Sequence, residues 1–388
     1  MGKYLLTLVI VLGMLIIGFA LVGVAIHWTQ QTPEEIIKEV NASGSMTDRQ
    51  ADILSKEKTS PEYRGDTSFR LRLTSITDAQ AESLSKVEMV HLNRLTSITD
   101  AQAESLSKVT FLDLNGLTSL TNAQVKLLSQ VDFLDLNGLT SITEEQAESL
   151  ANVRNLELDG LTQLTDTQAK ELGRSNSMSL NGLTSVTNQQ AASLSNNTDT
   201  LCLNGLTAVT DEQAQSLSRV ESGLELNGLK SITDEQAESL GRIEGGGVYE
   251  TAYLQLNGLT SITDGQAEGL SWVEGGLMLN GLTSITDAQA ESLIRVPGLC
   301  LDGLASITDE QAKILGNVAP RENRGRSLSL NGLRSITDKQ AESLSKLKYL
   351  SLEGLFSITD AQAKSLAKIE LVSIRGDAFY LIDKYKKP

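Results

Sequence analysis

Residues 92–109 read LNRLTSITDAQAESLSKV, and close variants of this segment return along most of the chain. Its Thr-x-x-Gln pair occurs fourteen times, with threonines at positions 47, 77, 99, 121, 143, 165, 187, 210, 233, 263, 286, 308, 337 and 359. Most of these threonines are 22 or 23 residues apart. A unit of that length cannot bury an apolar face alone, so neighbouring units are expected to stack into one continuous core.

The Thr-x-x-Gln pair predicts the start of a helix in every unit. Threonine at the N-cap accepts from the N3 amide, and glutamine at N3 reaches back to the N–H of the cap. After Thr77 and Gln80, the apolar residues Ala81, Leu84 and Val87 follow at helical spacing. This spacing predicts one short helix of about nine residues per unit.

A short strand is predicted between successive helices. In Leu112-Asp113-Leu114 two leucines flank one polar residue. This alternation is typical of a strand with one buried face. Asn115-Gly116 follows as a turn signal. Each unit therefore contains one strand and one helix.

The repeat is similar to the leucine-rich repeats through its pattern L-x-L-x-x-L-x-x-I-T-D-x-x-A-x-x-L. One unit shows the match at Leu92, Leu95, Ile98, Thr99, Asp100 and Leu106. The pattern most resembles the cysteine-containing subclass found in F-box substrate receptors, but the chain has no F-box. Leu95 and Leu117 stand where that subclass has cysteine, and Gln-Ala replaces its usual Gly-Leu. The resemblance implies an α/β solenoid of about 13–14 repeats, with a curved parallel sheet inside and short helices outside. It also implies protein binding.

The composition divides the chain into five predicted segments. Residues 1–4 form a short cytoplasmic N-terminus, 5–26 a membrane anchor or signal peptide, and 27–44 a linker with a capping helix that opens at Thr32. Residues 45–375 form the solenoid, and 376–388 a C-terminal cap and basic tail. The apolar tail residues Phe379, Tyr380, Leu381 and Ile382 are expected to cover the last coil.

The N-terminal apolar segment from Leu5 to Ile26 contains 22 residues without a charge. As a helix it would be about 33 Å long, which is enough to span a bilayer. Lys3 precedes it and acidic residues follow, which favours a single-pass anchor with the repeats on the extracytoplasmic side. The alternative is a cleaved signal peptide and a secreted protein, with Gly23 and Ala25 as the small residues before the cut.

Composition argues against several classes of function. The net charge of −16 and the pI near 4.7 argue against nucleic-acid binding, which needs a basic surface. The chain has only two histidines and two cysteines. Cys202 and Cys300 occupy the same strand position four coils apart, about 19 Å at the usual strand spacing, which is too far for a disulfide. No residue pattern indicates a catalytic site, a metal site, a cofactor or a small-molecule substrate, so we expect a protein that is not an enzyme.

Specificity on such a scaffold is expected at outward strand positions, because the leucines are committed to the core. The candidate partner-binding residues are Met89, His91, Phe111, Asp113, Phe133, Asp135, Glu157, Tyr253 and Tyr349. Carboxylates at Asp113, Asp135 and Glu157 would stack on neighbouring strands beside exposed phenylalanines, an arrangement that suits a cationic protein partner. The alternative is a solvated acidic face without a binding role.

Three further interpretations stay open at this point. The asparagine column (Asn93, Asn115, Asn137, Asn181, Asn204, Asn227, Asn257, Asn280, Asn331) is explained by turn chemistry, although it could also form a ladder facing a ligand. The uniform coils would also suit a structural or adhesin-like surface protein. Finally, the threonine row (Thr74, Thr96, Thr118, Thr140, Thr162, Thr184) could order water or ice.

Overall fold

A computed structural model describes residues 31–57, 68–197, 199–243, 252–317 and 326–386. The chain divides into two compact units, residues 1–116 and 117–388. The predicted anchor at 5–26, the linker residues 27–30 and the tail residues 387–388 lie outside the described ranges. Within those ranges, every helix is too short or too polar to cross a membrane.

The first unit contains three parallel strands and four helices. The helices are α1 (Pro33–Ser43), α2 (Asp48–Glu57), α3 (Asp78–Leu84) and α4 (Asp100–Leu106), and the strands are β1 (Ser68–Arg70), β2 (Met89–His91) and β3 (Phe111–Asp113). Helix α1 opens with a Thr32–Glu35 capping box. The amide of Asn41 ties this helix to the first coil, because it donates to Arg70 O (3.0 Å) and accepts from Arg72 N (2.7 Å). This side chain is therefore used inside the fold.

The second unit repeats the strand and helix eleven times and ends in a longer helix. Its strands are β4 (Phe133–Asp135), β5 (Asn155–Glu157), β6 (Ser177–Ser179), β7 (Thr200–Cys202), β8 (Gly223–Glu225), β9 (Tyr253–Gln255), β10 (Gly276–Met278), β11 (Gly298–Cys300), β12 (Ser327–Ser329), β13 (Tyr349–Ser351) and β14 (Leu371–Ser373). Its helices are α5 (Asn122–Leu128), α6 (Glu144–Leu150), α7 (Asp166–Leu172), α8 (Asn188–Leu194), α9 (Asp211–Leu217), α10 (Asp234–Gly241), α11 (Asp264–Leu270), α12 (Asp287–Leu293), α13 (Asp309–Leu315), α14 (Asp338–Leu344), α15 (Asp360–Leu366) and α16 (Asp377–Lys386).

Strands β4 to β14 pair in sequence order, and every pair is parallel. The register aligns the inward residues, for example Leu277 with Leu299, so the leucines form continuous buried columns. Leu95 and Leu117, at the cysteine position of the resembled subclass, are fully buried. A parallel sheet with one short helix per repeat fits the leucine-rich-repeat architecture.

The capping-box prediction is confirmed. Each of the thirteen helices from α3 to α15 has threonine at the N-cap, with its side chain accepting from the N3 amide, and glutamine at N3 reaching back to the cap. The helices are only seven or eight residues long. Isolated helices of this length are marginal in water, so these caps and the packing against neighbouring coils hold them.

The capping residues also connect one coil to the next. Gln289 Nε2 donates to Ile262 O in the preceding coil (2.8 Å), and Thr286 Oγ1 donates to Asp264 Oδ1 (3.0 Å). The same glutamine bond, at 2.6–2.9 Å, joins ten coil pairs of the second unit. Each side chain thus accepts one hydrogen bond and donates another. Glutamate or aspartate would cap the helix but, when ionised, lacks the donor.

Asparagine forms a second connection between coils. The Oδ1 atom of Asn257 accepts from Asn280 N (2.9 Å), and nine consecutive bonds of this kind run from Asn137 to Glu353. The predicted turn is present, since Leu282 N donates to Leu279 O (3.1 Å). Turn chemistry alone is nevertheless an incomplete explanation of this column, because the asparagine side chain holds the next coil.

The glycine after the asparagine is required by close approach between coils. A Cβ atom on Gly281 would lie 2.2 Å from Asn257 O and 2.5 Å from Leu259 O. Among the described glycines, only Gly44 and Gly376 have positive φ angles. The dipeptide therefore marks the place where one backbone rests directly on another.

The last coil is covered only in part. Ala378 and Ile382 of α16 are buried, whereas Phe379 and Tyr380 are exposed by 52% and 73%. The expectation that all four apolar tail residues cover this coil is wrong for Phe379 and Tyr380. The reason is helical geometry: residues 378 and 382 share a face at i,i+4, and that face is occupied first.

Candidate partner-binding face

In the first unit, four predicted residues lie side by side on β2 and β3. Met89 is in register with Phe111, and His91 with Asp113. His91 Nδ1 lies 3.2 Å from Asp113 Oδ2, and the His91 ring lies 4.9 Å from the Phe111 ring. The sheet therefore assembles a small aromatic and polar cluster from these residues.

Asp113 is held inside this cluster, so its carboxylate is not presented to solvent. Its exposure is 6%, and its Oδ1 accepts from Asn115 N at 3.1 Å. The carboxylate is thus engaged by a backbone amide and by the His91 ring. This engagement favours a structural role for Asp113, with Met89, His91 and Phe111 half-buried around it.

In the second unit, Asp135 and Glu157 are direct neighbours on β4 and β5. Glu157 is exposed and accepts from Asn137 Nδ2 at 2.8 Å. Phe133 precedes Asp135 on the same strand and is 39% exposed. Two carboxylates on adjacent strands repel each other. An exposed phenylalanine beside two such carboxylates is a surface that suits cationic and apolar groups of a partner.

Tyr253 lies along the sheet towards β7 and contacts three strands. Its ring occupies the space where a Cβ on Gly223 would be, 2.4 Å from the tyrosine Cε1. Its hydroxyl lies 3.3 Å from Thr200 Oγ1 and 3.5 Å from Glu225 Oε1. Burial raises the pKa of the Tyr253 hydroxyl, so it remains neutral at physiological pH.

Glu225 is the centre of this arrangement. It accepts from Gln255 Nε2 (2.9 Å) and Asn204 Nδ2 (3.0 Å) in addition to its contact with Tyr253. Burial, followed by the charge and hydrogen bond of Glu225, raises the pKa of the neighbouring Cys202 thiol to about 12. Cys202 is therefore a protonated, weakly reactive thiol, and both Cys202 and Cys300 are free as expected.

Strands β10 to β14 carry a neutral surface. Gly276 and Gly298 stand at the first outward position of β10 and β11. Beyond them a shallow groove of about 170 Å³ lies over β11 to β14, between Tyr349 and Leu371. Lys348 Nζ lies 5.2 Å from the centre of the Tyr349 ring. Tyr349 is therefore a half-buried wall of the groove.

Sequence reasoning placed Tyr253 on this face but missed Thr200, Gly223 and Glu225. A signal was present: residue 223 is a glycine one strand before an aromatic residue in the same column. A glycine beside an aromatic residue leaves space for the ring. Within the described ranges, no group of three His, Cys, Asp or Glu side chains could hold a metal ion.

No protein-family model and no curated protein sequence matches the chain. Among solved structures, an internalin from Listeria monocytogenes str. 4b F2365 is similar, with a TM-score of 0.45 and 16% sequence identity. The match covers 88% of this chain and 98% of the internalin chain.

Proposed function

We propose that the protein is a non-enzymatic scaffold that binds a protein partner through the outward face of its strands. One observation carries this proposal. The first strand position holds seven residue types among the eleven strands of the second unit, whereas the helix caps of the same coils are all threonine. Side chains that stabilise the stack repeat, and side chains on this face vary.

The chemistry of the face supports a partner that is cationic over β4 and β5. Asp135 and Glu157 lie next to each other there, beside the exposed Phe133. Binding of a cationic side chain would relieve the repulsion between the two carboxylates. The net charge of −16 favours the same partner by steering.

Affinity capture with matched variants tests the proposal. The face variant replaces Phe133, Asp135 and Glu157 by alanine. The control variant replaces Trp272, Glu274 and Glu291, an exposed aromatic residue and two exposed carboxylates outside the strands. We expect a protein retained by the wild type and the control at 0.15 M salt to be lost from the face variant. Equal capture by all three, with unchanged melting temperatures, would remove the strand face from the proposal.

A structural, adhesin-like role is the second candidate. It is favoured by the uniform glutamine and asparagine connections, which make every coil a similar spacer element. This role predicts that loss of the face residues leaves surface attachment unchanged. A change of length by one deleted coil would alter it instead.

We further propose that residues 5–26 anchor the protein in a membrane, with the repeats on the extracytoplasmic side. Support comes from the uncharged sequence of this segment. Extraction of membranes with alkaline carbonate distinguishes the alternatives: an anchored chain stays in the pellet, whereas a cleaved and secreted chain lacks the segment and is found outside the cell.

A further inference from the structure

The C-terminal end of the sheet is incompletely covered. Helix α16 buries Ala378 and Ile382 over the helix side of the last coil. On the strand side, Val372 is only half-buried although its counterpart Leu350 in β13 is buried, and Leu371 is 62% exposed. Terminal repeats of a solenoid normally present a polar outer face. The strand side of this coil therefore lacks its cover within the described residues.

The backbone of β14 also has one unused edge. Leu371 N donates to Lys348 O (3.1 Å), and Ser373 O accepts from Leu352 N (2.8 Å), so residues 371 and 373 bond to β13. Because bonding directions alternate along a strand, the N–H and C=O of Val372 point the other way. Among the described strands, β14 pairs only with β13.

We propose that β14 pairs antiparallel with β14 of a second copy of the chain, about a two-fold axis at Val372. Each Val372 would then exchange both of its backbone hydrogen bonds with the other copy. Leu371 would lie opposite the small Ser373 of the second copy. The pairing continues the sheet through the two-fold axis and closes on itself, as an isologous contact does.

Charge supports a second copy as the occupant. The strand is preceded by Glu370 and followed by Arg375. Antiparallel pairing about Val372 brings Glu370 of one copy diagonally beside Arg375 of the other, twice, whereas a parallel neighbour would place like charges together. The whole chain carries −16, but residues 345–386 hold seven basic and five acidic side chains. Two copies therefore repel each other least at this end.

The available area sets the strength of the association. Leu371, Phe379 and Tyr380, which all belong to the terminal coil, together leave roughly 400 Å² of side chain exposed at about 200 Å² per large residue. Stable interfaces bury about 800 Å² per partner. We therefore expect a dimer that dissociates on dilution.

The mass of the full chain in mild detergent, measured by light scattering on a sizing column from about 1 to 100 µM, tests the proposal. The wild type should approach twice 41.7 kDa at the upper concentrations. Leu371→Lys adds a charge at the edge, and Val372→Pro removes the outward N–H without touching the bonds of residues 371 and 373. Each should lower the association constant at least tenfold. Trp272→Lys, a charge added at an exposed residue in another coil, should have no effect.

Circular dichroism of each variant checks that the fold is retained. If Val372→Pro does not fold, Leu371→Lys decides alone. A wild type that is monomeric at all concentrations overturns the proposal. It is equally overturned by a dimer that persists unchanged in folded Leu371→Lys, because the two copies would then meet elsewhere, for example through the apolar segment at 5–26 that every variant retains.

Discussion

Replacing Gln289 by alanine tests the connection between coils. Gln289 is 6% exposed, its Oε1 accepts from Thr286 N (2.9 Å), and its Nε2 donates to Ile262 O (2.8 Å). The substitution leaves one N–H and one C=O without these partners. A buried unsatisfied group costs about 1–3 kcal/mol. Because Thr286 is exposed, water can reach its amide, so we expect a total loss of about 2 kcal/mol.

Two further variants make this prediction specific. Gln215→Ala is the same change on an exposed helix position of α9 and should change stability by less than about 0.5 kcal/mol. Gln289→Glu retains the acceptor for Thr286, which is the normal capping-box arrangement, and loses only the donor to Ile262 O. We expect it to be destabilised at neutral pH and to recover in acid, where the protonated carboxyl can donate again.

Urea unfolding followed by far-ultraviolet circular dichroism gives the free energies, and hydrogen exchange of the Thr286 amide reports the local bond. Repeat arrays can unfold in parts, so the amide is the more direct probe. If Gln289→Ala costs no more than Gln215→Ala and the Thr286 amide keeps its protection, the coil connection does not stabilise the stack.

Other consequences follow from the glycines and the buried thiol. Gly269→Ala should lose about 1–3 kcal/mol in thermal unfolding, because its Cβ would lie 2.6 Å from the backbone nitrogen of Glu238 and the two helices would have to separate. Gly298→Ala should be neutral or slightly stabilising by the same measurement, since the nearest atom lies at 3.4 Å and the strand loses only a flexible residue. Because the pKa of Cys202 is raised from 9.0 to about 12, its alkylation by iodoacetamide at pH 8 should be about a thousandfold slower than that of an ordinary thiol. Glu225→Gln should speed that reaction, and an unchanged rate, measured by mass spectrometry, would show that the carboxylate does not influence the thiol.

The candidate site followed from the sequence only in part. Strand alternation placed Phe133, Asp135 and Glu157 on one face, because side chains alternate regardless of their neighbours. The burial of Asp113 was not predictable in that way, since it depends on His91, which lies 22 residues away in sequence. Tyr253 likewise reaches Thr200, 53 residues earlier, across the space left by Gly223.

The sequence by itself determined the period, the helix starts and the inward leucines. These features are local: a capping box spans four residues and strand alternation spans three, so each unit carries its own instructions. Stacking follows because no unit can bury its leucines alone.

Only the tertiary structure decided which polar groups meet between coils. Whether Gln289 reaches Ile262, or Asn257 reaches Asn280, depends on the distance between two backbones that lie more than 20 residues apart in sequence. Hydrogen bonds act over about 3 Å and weaken steeply with angle. Periodicity can place two residues in one column, but only the packed backbone brings donor and acceptor within that range.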